Sequence, residues 1–446
     1  MQPSRPPIRK TFLALGLALV GTAASAQTAT ETELARRLDQ LAAELAAVKA
    51  QLAQIQKERA GAPAPPVASV VPASSASAGP SAGAVAAAVP TATAGPSDQP
   101  ATVLTSYGEI NYNRPTRNSQ NAQADVRRFV LGYQHRFDAK TKVVTELEVE
   151  HAVSSSSDPG EVEVEQAYIE HQFTPTWAAR AGLFLIPAGL LNENHEPTSF
   201  YGVERNFVET AIIPSTWREG GVQIVGTFDN GLTVQGGITT SFDLTKWDAA
   251  STEGSESPLG AIHQEMALAK ARDLAVFGAV NWRGVPGLLL GGSLFTGNAT
   301  HGQAPTQSRI TLWDLHARWT PGRWDLSTVY SRGTISNTAA FNATLVGNPT
   351  LVPKSFDGWY VQGAYKAWSS EDYALSPFVR WEQFNTARSF DDLGPGLTPD
   401  AGRTERVVTL GANFQVSQQI VVKADYQRFR ENKDLNRVNV GLGWSF

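Results

Sequence analysis

The chain of 446 residues contains no cysteine. It has no disulfide framework and no thiolate metal site, and an exported chain without thiols crosses an oxidising compartment without mispairing. Methionine is scarce, at two residues. Positive charge is not in excess: Lys and Arg number 37 against 42 Asp and Glu. That excludes the clustered basic surface that nucleic acid requires. After residue 26 no apolar run approaches the ~18 residues of a membrane-spanning helix. A catalytic motif is also lacking. The seven His are scattered, and no nucleophile stands in a recognisable pattern with a His and an acid. The reading is a non-enzyme without a cofactor. His195 between Glu193 and Glu196 reads as part of an acidic loop rather than a metal centre.

Glycine (38), Phe (19), Trp (11) and Tyr (10) are abundant, a composition that favours strands and turns over packed helices. The mean hydropathy of −0.21 does not argue against a membrane barrel. Only every second residue of a spanning strand faces lipid, so the average stays low.

The first hundred residues divide into three segments. Residues 1–26 read as a cleaved secretory signal. Arg5, Arg9 and Lys10 precede an apolar core, and Ala24-Ser25-Ala26 forms the cleavage site. Residues 27–60 read as a short coiled-coil helix. Leu34, Leu38, Leu41, Leu45, Val48, Leu52 and Ile55 alternate steps of four and three, a 3.5-residue period that forms a self-associating seam. Residues 61–102 are Ala, Pro, Ser and Gly with almost no charge, and read as a disordered linker of roughly 35 Å average span.

From residue 103 to 446 the texture becomes that of an all-β domain. Alternating segments predict a 16-stranded antiparallel transmembrane β-barrel, from a first strand near 105–114 to a last near 434–446. Tight turns at Asp138-Ala139-Lys140, Thr174-Pro175-Thr176, Asp229-Asn230-Gly231 and Pro321-Gly322 alternate with long loops at 188–218, 244–270, 336–355 and 387–402. Short turns on the periplasmic side and long loops outside are the pattern of outer-membrane barrels. Within strands, Val438, Val440, Leu442, Trp444 and Phe446 share one face, and Trp313, Leu315, Ala317 and Trp319 another, opposite Asp314, His316 and Arg318. Trp177, Trp282, Trp319, Trp324, Trp359 and Trp444 fall near strand ends, as an interfacial aromatic girdle does.

A sixteen-strand barrel leaves an aqueous channel, so something must narrow it. Loop 188–218 is too apolar to stand free in water and is expected to fold into the lumen. It offers Glu193, His195, Glu196, Glu204, Arg205 and Glu209 to the constriction. Alternation places Arg128, Glu146, Glu148, Glu163, Arg180, Arg318, Lys366, Arg380, Lys423 and Arg437 on the pore lining. Two arrangements remain open. Acidic and basic walls oppose each other and set up a transverse field, or the glutamates pair with neighbouring arginines to hold the loop.

The stretch 181–225, with GEVEVEQAYIE at 160–170, YGEINYN at 107–113 and RRFVLGYQHRF at 127–137, resembles the phosphate-selective porin O/P family. The resemblance covers 103–446 and implies a trimeric sixteen-strand channel in the outer membrane. Terminal Phe446 resembles the signal read by the barrel-assembly machinery. In that family, lysines in the constriction and a ladder of arginines select phosphate. Loop 188–218 has no Lys, and Arg205 is the one loop cation carried over as a constriction candidate.

The implied function is passive diffusion of small hydrophilic solutes or anions, with phosphate one candidate. The alternative is a structural tether from the outer membrane to the cell wall through the coiled coil. The partners expected are lipid, two further copies of the chain, the assembly machinery and, for the tether, the cell wall. A barrel trimer would hold three coil helices at high effective concentration. Changing Leu41 and Leu45 to Asp is therefore expected to abolish coil helicity in circular dichroism yet leave a conducting trimer. Monomers on a native gel would instead make the coil the main bond between subunits.

Overall fold

A computed structural model describes residue 43 and residues 101–446. The signal, the heptad seam and the linker up to residue 100 otherwise lie outside the described residues. The strands are β1 (Ala101–Pro115), β2 (Gln123–Arg136), β3 (Thr141–Glu150), β4 (Val162–Gln172), β5 (Trp177–Leu185), β6 (Arg218–Thr227), β7 (Leu232–Thr240), β8 (Leu274–Val285) and β9 (Leu288–Asn298). They continue as β10 (Arg309–Trp319), β11 (Trp324–Ile335), β12 (Ser355–Tyr365), β13 (Trp368–Ser370), β14 (Tyr373–Ser389), β15 (Glu405–Ser417), β16 (Ile420–Phe429) and β17 (Arg437–Ser445).

Each strand pairs antiparallel with its neighbour, and β1 closes the sheet against β17 from Tyr107↔Ser445 to Pro115↔Arg437. The result is a closed sixteen-stranded barrel. β13 is the end of the twelfth stave, since both β12 and β13 pair with β14. Closure matters energetically, because an open edge in hydrocarbon would leave unpaired peptide groups at several kcal/mol each. The seam ends on a reciprocal backbone pair between Ser106 and Phe446, at 2.9 Å in each direction. The first stave begins at Ala101, so the last two residues assigned to the linker are already paired.

The alternation read from the sequence holds in three dimensions. In β17, Val438, Val440 and Leu442 are exposed while Asn439, Gly441 and Gly443 are buried. In β16, Lys423, Asp425 and Gln427 are buried between exposed neighbours. Exposed apolar side chains on the outside thus face lipid, and buried polar ones fill the inside, the reverse of a soluble core. Phe173, Trp177, Trp319, Trp324 and Trp368 are exposed at the turn-side ends of their staves. Trp359 departs from the expected girdle: it lies mid-strand in β12, opposite Tyr330.

Short turns at 286–287, 371–372 and 418–419 lie at one end, and 186–217, 241–273 and 336–354 emerge at the other. Much of the apolar content of those loops turns inward. Trp217 and Ile213 of 186–217, Phe242, Trp247, Leu259 and Ile262 of 241–273, and Val352 of 336–354 form one buried cluster with Phe184, Phe277, Phe295 and Phe356 of the wall. Trp217 stacks on Phe242 at 5.2 Å and meets Phe295 edge-on at 4.7 Å, geometries worth about 0.5–1.5 kcal/mol each beyond burial.

β5 delivers the chain into this region through Gly182, whose φ of 134° is closed to ordinary side chains. A Cβ there would lie 2.3 Å from the Ala167 carbonyl oxygen of the neighbouring strand. Gly182→Ala is expected to weaken the β4–β5 pairing by about 2 kcal/mol or more. The readout is a lower temperature for loss of the compact, heat-modifiable barrel band on a gel; an unchanged transition would contradict the assignment.

Candidate functional site: the loop across the lumen

Loop 186–217 is apolar at both ends and polar in the middle. Its ends are tied by Asn192, whose side-chain amide donates to the Ile186 and Trp217 carbonyls at 2.7 Å and accepts from the Trp217 amide at 2.7 Å. A π-helical turn at Val208–Ile212 brings the return limb against β11, β12 and β14.

Between those ends the loop touches the wall on nearly every side. Toward β1 and β4, His195 Nε2 lies 2.8 Å from both the Tyr107 hydroxyl and Glu165, and Tyr107 donates to Glu165 at 2.8 Å. Toward β7, Glu193 accepts from Gln235 at 3.1 Å. Toward β17, Thr198 bonds Ser445 at 2.7 Å. Toward β15 and β16, the Gly202 amide donates to Asn413 and the Val203 amide to Asp425, at 3.3 and 2.6 Å. Toward β14, the Phe207 amide donates to Glu382 at 2.7 Å. Toward β10, Arg318 donates to the Ser199 carbonyl at 3.4 Å. The loop therefore spans the lumen rather than lining one side of it.

Each constriction residue expected from the sequence has a definite place. Glu209 is buried and accepts from the Leu190 and Leu191 amides at 2.5 and 2.7 Å, from Asn206 at 2.7 Å and from the Tyr360 hydroxyl at 3.2 Å. Burial pushes its carboxyl up, against the pull of those donors. It is a buried staple of the loop. Arg205 is also buried and donates to Ser215, Thr216 and the His195 carbonyl at 2.7, 2.8 and 3.2 Å, with no carboxylate partner among the described residues. Burial, and next the nearby Arg128, push its guanidinium down.

Burial disfavours the charged form of His195, but the Glu165 carboxylate outweighs it and raises the imidazole. Glu193 is raised by burial, partly offset by Arg180. Burial also works against ionised Glu204, yet Arg437 and Arg127 hold its carboxyl below the usual range, and it accepts from Asn113 at 2.8 Å. Glu196 is half-buried beside Ser199.

The pore-lining candidates are mostly engaged. Arg128 does not oppose the acidic strands; it sits among them, 2.9, 3.1 and 3.4 Å from Glu109, Glu148 and Glu150. Glu146 accepts from Gln166, and Glu163 is bound to Arg218. Arg180 pairs with Glu170 and Arg318 with Asp325, at 2.8 and 2.6 Å. Arg380 binds Glu382 at 2.7 Å and the Tyr201 carbonyl at 3.1 Å. Lys423 stands 3.5 Å over the Phe200 ring, a contact worth up to about 2 kcal/mol when dry. Arg437 donates to Gln427 at 2.8 Å. Lys366 lies exposed in the break between β12 and β13, at the turn-side mouth.

Sequence reasoning missed Tyr107, Asn413 and Asp425 as partners of the loop. Alternation carries the signal for them: Tyr107 shares its face with Glu109 and Asn111, and Asp425 lies between Lys423 and Gln427. Between the loop and the wall, Phe200, Tyr201, Arg318, Tyr360 and Arg380 line a partly open pocket of about 20 Å³, room for little more than a water molecule.

The sequence and fold have relatives. Residues 293–440 match the model of the family described as phosphate-selective porin O and P. An uncharacterised protein of Aquifex aeolicus (strain VF5) is 27% identical over 354 residues, covering 77% of this chain and 79% of its own. Among solved structures, Salmonella typhi OmpF in complex with daunomycin superposes with a TM-score of 0.54 at 12% identity, over 77% of this chain and 97% of that one. The anion-selective porin from Comamonas acidovorans superposes with a TM-score of 0.51 at 10% identity, over 78% and 100%. At such identities these two likenesses speak for the fold alone.

The Glu209 staple makes a testable demand. Glu209→Ala leaves two loop amides, the Asn206 amide and the Tyr360 hydroxyl without their acceptor, at about 1–3 kcal/mol for each buried group left unpaired. The expected result is a folded barrel with faster amide exchange across 188–210 and noisier single-channel current. Unchanged exchange would contradict the role. The match of residues 293–440 to the phosphate-selective porin O and P family model, together with the closed sixteen-stave barrel, makes the chain an outer-membrane channel.

Proposed function

We propose that the protein is a passive channel for small hydrophilic solutes, anions included, in which loop 186–217 sets the constriction. The observation that carries this reading is the ring of contacts from that loop to β1, β4, β7, β10, β14, β15, β16 and β17. A segment held from so many sides narrows whatever path passes it. Phosphate stays a candidate on the family match alone, because the loop has no Lys and its one mid-loop cation, Arg205, is buried in bonds to hydroxyls and a carbonyl.

The working unit in this reading is a homotrimer, exported through a cleaved signal and inserted by the barrel-assembly machinery. The heptad seam supports a second role, in which the coil reaches from the periplasmic mouth toward the cell wall. Deleting residues 192–209 is expected to raise single-channel conductance severalfold in a planar bilayer. Unchanged conductance in a correctly assembled barrel would contradict the placement of the constriction.

A further inference from the structure

The inward-facing ion-pair clusters of the barrel change sign from one end to the other; Asp357 with Arg332 and Arg388 lies on the outward face beside Trp359 and Val361. Facing the lumen in the loop-side half, one cation serves several carboxylates. Arg128 is shared by Glu109, Glu148 and Glu150. Arg218 is shared by Glu163 and Glu265, the latter at 3.0 Å. In the turn-side half the ratio is reversed. One carboxylate, Glu170, is shared by Lys142 at 3.0 Å and Arg180 at 2.8 Å. Arg283 and Lys366 are exposed at that end and enter no ion pair among the described residues.

Pairs of equal and opposite charge do not disturb this pattern. Arg318 with Asp325 and Arg380 with Glu382 cancel locally, and Glu204 lies in the field of Arg437. The unbalanced groups are the accessible ones. The side chains of Glu150 and Glu163 are each 24% exposed, and those of Lys142 and Arg180 are 27% and 22% exposed. Their field therefore reaches water rather than being spent inside a closed cluster.

We propose that the conduit is axially polarised, acidic toward the loop-side mouth and basic toward the turn-side mouth, and that it passes more current in one direction than in the other. The inference rests on the channel reading given above. Mobile cations concentrate in the acidic zone and anions in the basic zone. A field that drives cations in through the acidic mouth also drives anions in through the basic mouth, so both zones fill with carriers. The opposite field sweeps both zones empty. Conductance is greater when the loop side is positive.

Screening separates this origin from shape. The Debye length falls from about 10 Å at 0.1 M salt to about 3 Å at 1 M, so charge-based asymmetry fades with salt while a merely lopsided pore keeps its own. The experiment is single-channel recording of the full-length protein at matched positive and negative voltages in 0.1 M and 1 M KCl. A current ratio of about twofold is expected at 0.1 M and near unity at 1 M. The triple variant Lys142→Gln/Arg283→Gln/Lys366→Gln, whose sites are all accessible to solvent, should bring the ratio near unity at 0.1 M as well. Equal currents in both directions at 0.1 M would overturn the proposal, as would asymmetry that survives 1 M salt or the triple variant. An assembled barrel that conducts nothing would instead overturn the channel reading beneath it.

Discussion

A polypeptide that crosses the inside of a barrel must satisfy its own peptide groups there, and this requirement organises the lumen. The wall supplies the acceptors. Asp425 takes the Val203 amide, Glu382 the Phe207 amide and Asn413 the Gly202 amide. The loop supplies the rest itself, through Glu209 beneath Leu190 and Leu191 and Asn192 across its two ends. Such groups are strong acceptors where water is scarce, and each left unpaired costs more than the pair contributes. Many of the charges along β1, β4, β14 and β16 are thus explained first by what they hold and only then by what passes them.

That division explains what the sequence made legible. Period-two alternation and the short-long rhythm of connections carry the barrel, because lipid outside and polar contents inside impose the same rule on each stave. Loop 188–218 was legible for a different reason: Leu190, Leu191, Phe207, Ile212, Ile213 and Trp217 cannot all face water. Its bounds shift only to 186–217 in three dimensions. The role of each charge was not legible. Nothing local distinguishes Glu209, an internal acceptor, from Glu196, which is half-buried. The contribution of 241–273 to the apolar cluster also escaped, since Phe242, Trp247, Leu259 and Ile262 follow neither a strand nor a helix period.

The electrostatics follow from the same constraint. A simple pair of opposed walls would leave glutamates of β3 and β4 bare against arginines across the pore. Instead Arg128 sits in the acidic cluster, and Arg380 beside Glu382 supports the loop backbone at Tyr201. Charge left over after this pairing is what a permeating ion meets. It is shared unevenly between the two mouths rather than between two walls. A sequence sum over the barrel hides that distribution, because it counts paired and unpaired groups alike.

Loop 186–217 lies across the lumen, with Thr198 against Ser445 at 2.7 Å. The chain has no cysteine of its own, so the double variant Thr198→Cys/Ser445→Cys carries one thiol pair and no competitors. By mass spectrometry and single-channel recording, a disulfide is expected to form under mild oxidation, with the same conductance before and after reduction. Two thiols that stay free in an assembled barrel, or a disulfide whose reduction raises conductance severalfold, would contradict that placement.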